Sequence, residues 1–552
     1  MRKRQSPAKY SRRGLLTDAR GDAVILVVLA IMLMTLIPVA LFSTSIAQLP
    51  IAQGEQDYQR ALAAAEAGVA DYINRLNQTA LSQSGNYWQY SASNPPPDGN
   101  PAFAGWATVQ YSNGEYYHYT PDTTQTASTG IVYLTSTGLA LHGSIPTYRT
   151  ITVGIRPDGF LNYLIMTDKN VIDPYFAPHV SSLSQTQAQS RCAYRYDQYN
   201  PSTNGYGPDM SKCSGLLAYY ASGSVATGNL FSNDMYYING TPTFNGRVYS
   251  ASTKVSGDPS HPYWLDPVCG VTCPGDNPSF QNPQDPTLHS TLAFPSLNTA
   301  LQNAAQQGGC LYVGPTYIKI SGSYMTVDSP ETPTSGFTNP NCLGSGTLPL
   351  PANGVIYVEN MSSPLSCTGM VTLEHQSLPC GEGDALTQGR LAGQLTIGAA
   401  NNIYITGDLE YQGCAHSGTT DVLGLISNNF TELSSTFYST NATSDNCLGQ
   451  SSSTPVIYAA ILALNHSFDA QHFWSIPALG NLYIVGSISE KYADLEGVFG
   501  ASGLTSGYNT IYSYDNRLGY LTPPYFLSPL NAAWIQMSFS EVRNPSLLPT
   551  LP

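Results

Sequence analysis

Apolar and polar positions form two successive patterns near the start of this 552-residue chain. Residues 23 to 42 read AVILVVLAIMLMTLIPVALF, and only Thr35 and Pro38 interrupt the apolar run. At about 1.5 Å per residue, a helix of this length spans roughly 30 Å, the thickness of a bilayer's hydrocarbon core. The run therefore predicts a membrane-spanning helix. Its packing surface would be formed by Ala23, Leu26, Leu29, Leu33, Leu36, Pro38 and Phe42.

The second pattern begins at Tyr58, where the chain reads YQRALAAAEAGVADYINRL. Apolar residues recur there every three or four positions, which is the period of an amphipathic helix. We therefore expect the helix to continue to residue 76 and to pack one face on a globular domain. Pro38 and Pro50 should kink or interrupt it, because proline lacks an N–H and clashes with the preceding turn. The packing face would consist of Leu62, Ala65, Val69, Ile73 and Leu76.

Charge is distributed unevenly along the chain. The first twenty residues carry seven basic residues and one acidic residue, a net +6, whereas the whole chain carries −14, so the remainder carries −20. A basic flank before an apolar run holds the N-terminus in the cytoplasm and places the rest of the chain outside. An acidic surface argues against nucleic acid as a direct partner.

These features together resemble a known family. The basic leader ending in Arg20-Gly21, the apolar run and the stretch QRALAAAEAG (59–68) are similar to the N-terminal segment of type IV pilus minor pilins, or pseudopilins, of the PilX type. The resemblance implies cleavage after Gly21 by a prepilin peptidase, with Asp22 as the new, methylated N-terminus. It also implies assembly of the helix with other pilin subunits. Leu26 stands at the fifth mature position, where major pilins carry Glu, and this departure is found in minor pilins located at a filament tip.

Two other readings of the N-terminus stay open. Residues 1–47 could be an ordinary signal peptide, since Ser45-Ile46-Ala47 fits a small-x-small cleavage site, although the apolar run exceeds the usual length. The run could also be an uncleaved signal anchor. On the pilin reading, the protein is a single-pass membrane protein with an extracytoplasmic head before assembly and lies at the cell surface, in a pilus, afterwards.

The chain after the helix reads mainly as β-structure. Strand patterns at 106–111 and 116–119 flank an Asn-Gly turn, and further strands are predicted at 131–137 and 148–155. Short apolar runs between Gly and Asn residues continue to about residue 499 and suit the coils of a β-solenoid, with a multi-sheet sandwich as the alternative. The predicted fold class is mainly β with a long N-terminal α-helix, a pilin-like helix plus small antiparallel sheet followed by a large solenoid-like domain. The predicted boundaries are a leader at 1–21, a helix at 22–76, a pilin-like sheet at 77–157, a head at 158–543 and a tail at 544–552.

All ten cysteines lie beyond residue 190, in the part that would be exported. An even number confined to an exported region predicts disulfides, whose pairing the sequence leaves open. The spacing of Cys269 and Cys273 could suggest a metal site, but no second Cys/His pair follows, so a disulfide is favoured. We expect no metal and no cofactor. The disulfide candidates are Cys192, Cys213, Cys269, Cys273, Cys310, Cys342, Cys367, Cys380, Cys414 and Cys447.

Candidate chemistry is sparse, and we expect no enzyme. His466 and His472 are too far apart for a ligand pair on one helical face, and Asp494 and Glu496 could be paired carboxylates, a calcium site or a solvated strand face. Two hypotheses follow. The first is a minor, tip-located pilin that takes part in pilus assembly and presents a large, adhesive head. Its partners would be other pilin subunits, the prepilin peptidase, the cytoplasmic membrane, and surface glycans or a host or abiotic surface. The second is an anchored or secreted enzyme that acts on extracellular polysaccharide.

Overall fold

A computed structural model describes most of the chain. The described residues are 19–78, 87–142, 145–332, 342, 344–362, 367–415, 418–437, 454–493, 495–500, 503–542 and 548–551. Helical backbone begins at Ala19 and ends at Asn77, and side chains within this N-terminal helix are described for residues 24–37 and 52–77.

A five-stranded antiparallel sheet, here called the N-terminal sheet, follows the helix in sequence. The Asn-Gly turn predicted from sequence lies before its second strand, and the predicted strands at 131–137 and 148–155 are present but longer. Thr and branched apolar residues alternate along these strands, so that one face is apolar. In spatial order the strands are Ala107–Thr108, Glu115–Asp122, Val132–His142, Ile145–Pro157 and Trp534–Val542.

The last strand of this sheet comes from the C-terminal end of the described chain. Trp534–Val542 pairs antiparallel with Ile145–Pro157. The side chain of Asn77, where the helix ends, accepts a hydrogen bond from the backbone N–H of Trp534 at 2.6 Å and donates one to its carbonyl at 3.2 Å. This strand therefore completes the N-terminal sheet at the edge formed by Ile145–Pro157.

The head, between the fourth and fifth strands of that sheet, contains two series of parallel strands. The first ladder consists of Cys310–Val313, Val355–Glu359, Gln394–Ala399, Val422–Ser427, Val456–Ala463, Ala478–Tyr492, Ile165–Lys169, Leu230–Ser232, Val248–Ser250 and Thr287–Leu288. The second ladder consists of Thr316–Gly322, Ala385–Leu391, Ile403–Tyr411, Thr431–Leu433 and Phe468–Ala470. Both contribute to one apolar core, and strands such as VIYAAILA (Val456–Ala463) are apolar throughout because both their faces are buried.

Shorter elements surround the ladders. Antiparallel strands adjoin the second ladder at Tyr324–Asp328 and Ser345–Pro349. Gly503–Tyr514 pairs in parallel with Ala478–Tyr492 of the first ladder and antiparallel with Gly497–Gly500. The small sheets use Tyr220–Ala221, Tyr236–Asn239, Trp264–Leu265, Val225–Ala226, Thr243–Phe244, Ser279–Phe280, Tyr199–Asn200, Gly205–Tyr206, Met370–Leu373 and Gln376–Pro379. The short α-helices are Thr126–Thr129, Ala177–Val180, Gln185–Arg191, Met210–Cys213 and Thr299–Gln306. The 3-10 turns are Tyr87–Gln89, Pro101–Phe103, Phe160–Asn162, Ser214–Leu216 and Asn516–Gly519.

The predicted fold class is wrong. The described chain is mostly β, with several sheets and short helices. The long N-terminal helix that we expected is described with its side chains only over residues 24–37 and 52–77. A solenoid is not shown for the head either, because its parallel strands form two ladders that are linked through the pair Leu409–Ile457 and extended by antiparallel strands. Short apolar runs reveal strands but do not specify how those strands pair.

The predicted localisation is also corrected. Among the residues that the structure describes, no helix has both the length and the apolar character needed to cross a membrane. The apolar run suggested such a span because hydropathy counts consecutive residues, whereas the apolar stretch described with its side chains covers residues 24–37. The domain boundaries predicted from the sequence stay predictions.

Candidate assembly surface and candidate polar sites

Residues 24–37 of the N-terminal helix form an apolar surface that the other described residues leave uncovered. Every side chain in this stretch is exposed, and the four predicted leucines, Leu26, Leu29, Leu33 and Leu36, have between 52% and 69% of their surface accessible. Burying one such side chain is worth about 1.5–3 kcal/mol. A continuous apolar surface of this kind marks a contact with another molecule. We call residues 24–37 the exposed stretch.

The one polar side chain in the exposed stretch is satisfied within the helix. The hydroxyl of Thr35 lies 3.0 Å from the carbonyl oxygens of Ile31 and Met32, one turn earlier. Ser and Thr hydroxyls in helices commonly donate to such carbonyls. Thr35 therefore needs no polar partner, and a covering surface can be wholly apolar.

The remaining predicted residues of this region lie outside the described side chains. The structure describes only the helical backbone, and not the side chains, at the predicted processing site, Gly21 and Asp22. The same is true of Ala23, Pro38 and Phe42. Processing after Gly21 therefore stays a prediction.

Residues 52–77 lie against the N-terminal sheet at unusually short range. A Cβ atom added to Gly138, in the middle strand, would lie 1.9 Å from the carbonyl oxygen of Ala61. Beside it, the hydroxyl of Ser136 donates a 2.8 Å hydrogen bond to the carbonyl of Ala65. A Cβ on Gly68 would lie 2.5 Å from that hydroxyl. The alanines and glycine of QRALAAAEAG thus allow the helix backbone to approach the sheet backbone closely. We call this contact the helix seat.

The predicted packing face of the helix overlaps with the observed one. Ala65, Val69 and Leu76 are buried, while Leu62 and Ile73 are half-buried at the margin of the contact. The sequence reasoning missed the residues at the centre, because small and aromatic side chains were not counted. These are Ala61, Ala64, Gly68 and Tyr72. The signal was present: Ala61, Ala65, Gly68, Tyr72 and Leu76 recur at spacings of three and four.

A cluster of polar and aromatic side chains lies beside the helix seat, near the C-terminal end of the helix. Arg75 pairs with Asp71, four residues earlier, at 2.9 Å, and also with Asp98. The hydroxyl of Tyr119 donates to Asp71 at 3.1 Å, and the ring of Tyr119 lies edge-on to Tyr72 with centroids 5.2 Å apart. The Asp71–Arg75 pair therefore joins the helix to the sheet as well as stabilising the helix itself.

The prediction of disulfides is confirmed. Within the described residues the bonded pairs are Cys192–Cys213, Cys269–Cys273, Cys310–Cys342 and Cys367–Cys380. Cys414 is also disulfide-bonded, and Cys447 lies outside the described residues. Each described bridge joins cysteines that are close in sequence, so the bridges stabilise individual loops of the head.

One group of side chains has the composition of a metal site. Asp266, Cys269 and Cys273 lie together, but the two sulfur atoms are bonded to each other. A metal needs the thiolate form of cysteine, so these residues do not fit one. Asp266 instead caps the loop, because its Oδ1 accepts hydrogen bonds from the backbone N–H groups of Val268 and Cys269 at 2.7 and 2.8 Å.

The sequence argued against a ligand pair at His466 and His472 and left Asp494 and Glu496 open as paired carboxylates, a calcium site or a solvated strand face. Asp494 lies outside the described residues. Glu496 accepts hydrogen bonds from Tyr512 at 2.7 Å and Thr510 at 3.3 Å, and burial raises its pKa to about 7. His466 is paired with Asp173 at 2.8 Å, whereas His472 packs edge-on to a tryptophan.

Comparison with known proteins gives one remote likeness to report. No protein family matches the chain, and no curated protein matches it. Among solved structures, it is similar to the crystal structure of the competence-associated pilin ComZ from Thermus thermophilus, at 12% identity, covering 88% of this chain and 97% of that one, with a TM-score of 0.26. A TM-score this low does not establish a shared fold.

Proposed function

We propose that this chain is a minor, type IV pilin-like structural subunit that packs its N-terminal helix among the helices of other pilin subunits and carries a large head at the tip of the filament. The observation that carries the proposal is the contrast along the N-terminal helix. Residues 61–76 bury one face of the helix on the chain's own sheet, while the exposed stretch offers an apolar surface with no polar side chain left to satisfy. Apolar faces of helices from neighbouring subunits would pack against the exposed stretch and remove it from water.

The size of the head supports the tip position. It is inserted between the strands Ile145–Pro157 and Trp534–Val542 of the N-terminal sheet. A subunit in the body of a filament must leave room for neighbours on all sides, and a large insertion restricts that room. The tip relaxes this constraint, and a disulfide-bonded head there would meet surfaces first, which suits an adhesive role. Processing after Gly21 by a prepilin peptidase, with Asp22 as the mature N-terminus, belongs to the same proposal.

The test uses the full chain expressed in cells that assemble pili. Leu29→Asp and Leu33→Asp place a charge on the exposed stretch, and we expect each to remove the protein from sheared filaments. Asn74→Asp is the matched control, since Asn74 is exposed on the same helix beyond the apolar residues. Mass spectrometry of the filament fraction should find Asp22 as the first residue. Normal incorporation of both aspartate variants, or a mature chain that begins elsewhere, would contradict the proposal.

A further inference from the structure

A small cavity lies where the N-terminal sheet joins the head. Its walls come from the end of the strand Ile145–Pro157, from residues 129–130, from Phe160 and Leu161, and from the loop 522–528. About 30 Å³ of this space is open to the centre of a water-sized molecule. One water needs roughly 10–15 Å³ by the same measure, so the cavity has room for a small molecule. We call it the junction cavity.

Arg156 brings a buried positive charge to the junction cavity. Only 5% of its surface is accessible, and a guanidinium group stays ionised in proteins. Its Nη1 donates a hydrogen bond to the carbonyl oxygen of Leu518 at 2.7 Å, and its Nη2 donates to the side-chain oxygen of Asn162. Its Nε has no hydrogen-bond partner in the described structure. Both acceptors are neutral, so they do not balance the charge of Arg156.

No carboxylate among the described residues forms an ion pair with Arg156. Asp158 is the acid closest to it in the chain, but that carboxylate already contacts Asn162 at 2.5 Å, Tyr163 at 3.3 Å and His289 at 3.4 Å. A buried charge is costly unless an opposite charge lies beside it. The junction cavity therefore favours an anion.

Thr522 adds a second unpartnered group to the cavity from a distant part of the chain. Only 8% of its surface is accessible, and its Oγ1 has no hydrogen-bond partner in the part of the chain that the structure describes. The loop 522–528 is tied to its surroundings, because the Tyr525 N–H donates a 2.8 Å hydrogen bond to the carbonyl of Ser128. Leaving a buried hydroxyl without a partner costs stability. Two donors that lack an acceptor, the Nε of Arg156 and the hydroxyl of Thr522, thus belong to residues that line one cavity.

The other walls select among possible anions. Of the described residues that line the cavity, Arg156 alone is charged, and Phe160, Phe526 and Leu527 contribute apolar surface. One positive charge balances a monoanion but leaves a phosphate dianion with an unpaired charge. A carboxylate offers two acceptor oxygens, one for the Nε of Arg156 and one for the hydroxyl of Thr522. Water would accept the same hydrogen bonds but would leave the charge of Arg156 unbalanced.

We propose that the junction cavity binds a small monocarboxylate, whose carboxylate is held by Arg156 and Thr522 and whose short apolar part lies against Phe160 and Phe526. The bound anion contacts the end of the N-terminal sheet and the loop 522–528 of the head at the same time. It therefore stabilises the joint between them in proportion to its occupancy. This inference does not depend on the proposed filament function.

The experiment measures equilibrium binding of acetate to the full chain by isothermal titration calorimetry at pH 7 and constant ionic strength. Acetamide, which has a similar size and no charge, is the comparison probe. We expect acetate to bind saturably and acetamide to bind at least about tenfold more weakly, because acetamide does not balance the charge of Arg156. Acetate should also raise the temperature of unfolding as it saturates the cavity, and acetamide should not.

Substitutions test each donor separately. Thr522→Val keeps the shape of the side chain and removes a hydroxyl that has no partner in the described structure, so this variant should fold. We expect it to weaken acetate binding about tenfold, the loss of one hydrogen bond to a charged group, and Thr522→Ser should restore the affinity. Arg156→Met should abolish saturable binding. Thr387→Val is the matched control, since it removes another buried hydroxyl with no partner among the described residues, outside the cavity, and should leave the affinity unchanged.

Three outcomes would overturn the proposal. Absence of saturable acetate binding to the native chain would mean that the cavity holds water alone. Equal affinities for acetate and acetamide would show that the charge of Arg156 does not select the ligand. Unchanged acetate affinity in Thr522→Val would show that the carboxylate binds elsewhere. None of these three results requires Arg156→Met to fold.

Discussion

The two described stretches of the N-terminal helix have the same secondary structure but different environments. Residues 52–77 present alanine, glycine and Tyr72 to a sheet of the same chain, while residues 24–37 present leucine, isoleucine, valine and methionine to no part of the described chain. Residues 52–77 use small side chains at the contact because the backbone of the N-terminal sheet lies at short range. The exposed stretch uses large ones, which suit a partner that brings side chains of its own. The difference shows that apolar character alone does not tell whether a helix face is buried within its own subunit or left exposed to contact another molecule.

The largest expected effect is at the centre of the helix seat. Tyr72→Ala should lower the free energy of unfolding of the N-terminal sheet by about 3–5 kcal/mol, because it removes a fully buried aromatic side chain. Hydrogen exchange in the strand Val132–His142 would measure this separately from the head. Tyr72→Phe is the control and should cost little, since the Tyr72 hydroxyl has no hydrogen-bond partner in the described structure. A loss below about 1 kcal/mol for Tyr72→Ala would show that the seat is not a tight contact.

Gly138→Ala should have the next largest effect, about 2 kcal/mol. In a strand, alanine is ordinarily preferred to glycine. Here the added Cβ would meet the backbone carbonyl of Ala61, which cannot rotate away, so the helix must move off the sheet. The same exchange measurement applies. Gly215→Ala, at a position with open space around the added atom, should be close to neutral. Equal stability of the two variants would refute the close approach.

Two glycines on the helix itself give a smaller difference of about 1–2 kcal/mol. Both Gly54→Ala and Gly68→Ala should gain helix propensity, worth about 1 kcal/mol. Gly54 has nothing near its added Cβ and should retain the gain. Gly68 should lose it, because the new atom displaces the Ser136 hydroxyl from Ala65. Thermal unfolding of the Gly54→Ala and Gly68→Ala variants would measure this difference. Stabilisation by both variants would contradict the close contact at Gly68.

The smallest effect on subunit stability is expected in the exposed stretch. Leu33→Ala should change the free energy of unfolding by less than about 0.5 kcal/mol, because roughly half of this side chain is already in contact with water. The same variant should weaken association, which sedimentation of the full chain would detect. A stability loss comparable to that of Tyr72→Ala would mean that the stretch is buried within its own subunit after all.

The sequence predicted local features well where a short-range rule applies. The Asn-Gly turn and the strand at 148–155 each depend on residues close in the chain. The even cysteine count predicted bridges, and those described connect near neighbours. Such features require only the local backbone geometry and the chemistry of a few side chains.

Features that depend on distant residues were missed. Nothing in the segment around Trp534 shows that it pairs with Ile145–Pro157, because edge strands are specified by register and not by composition. The closeness of Ala61 to Gly138 depends on two segments meeting. The apolar pattern therefore included Leu62 and Ile73 in the packing face but not Ala61.

The position of the final strand has a consequence for synthesis. Gly154 and Ser538, joined by a 2.9 Å hydrogen bond from the Gly154 N–H to the Ser538 Oγ, are 384 residues apart. At ribosomal rates of roughly 5–20 residues per second, about 20–80 s pass between their appearance. One edge of the strand Ile145–Pro157 therefore has no partner strand while the ribosome synthesises the head. A chain released early would keep that edge unpaired and prone to joining other strands, so completion of this sheet distinguishes finished from truncated protein.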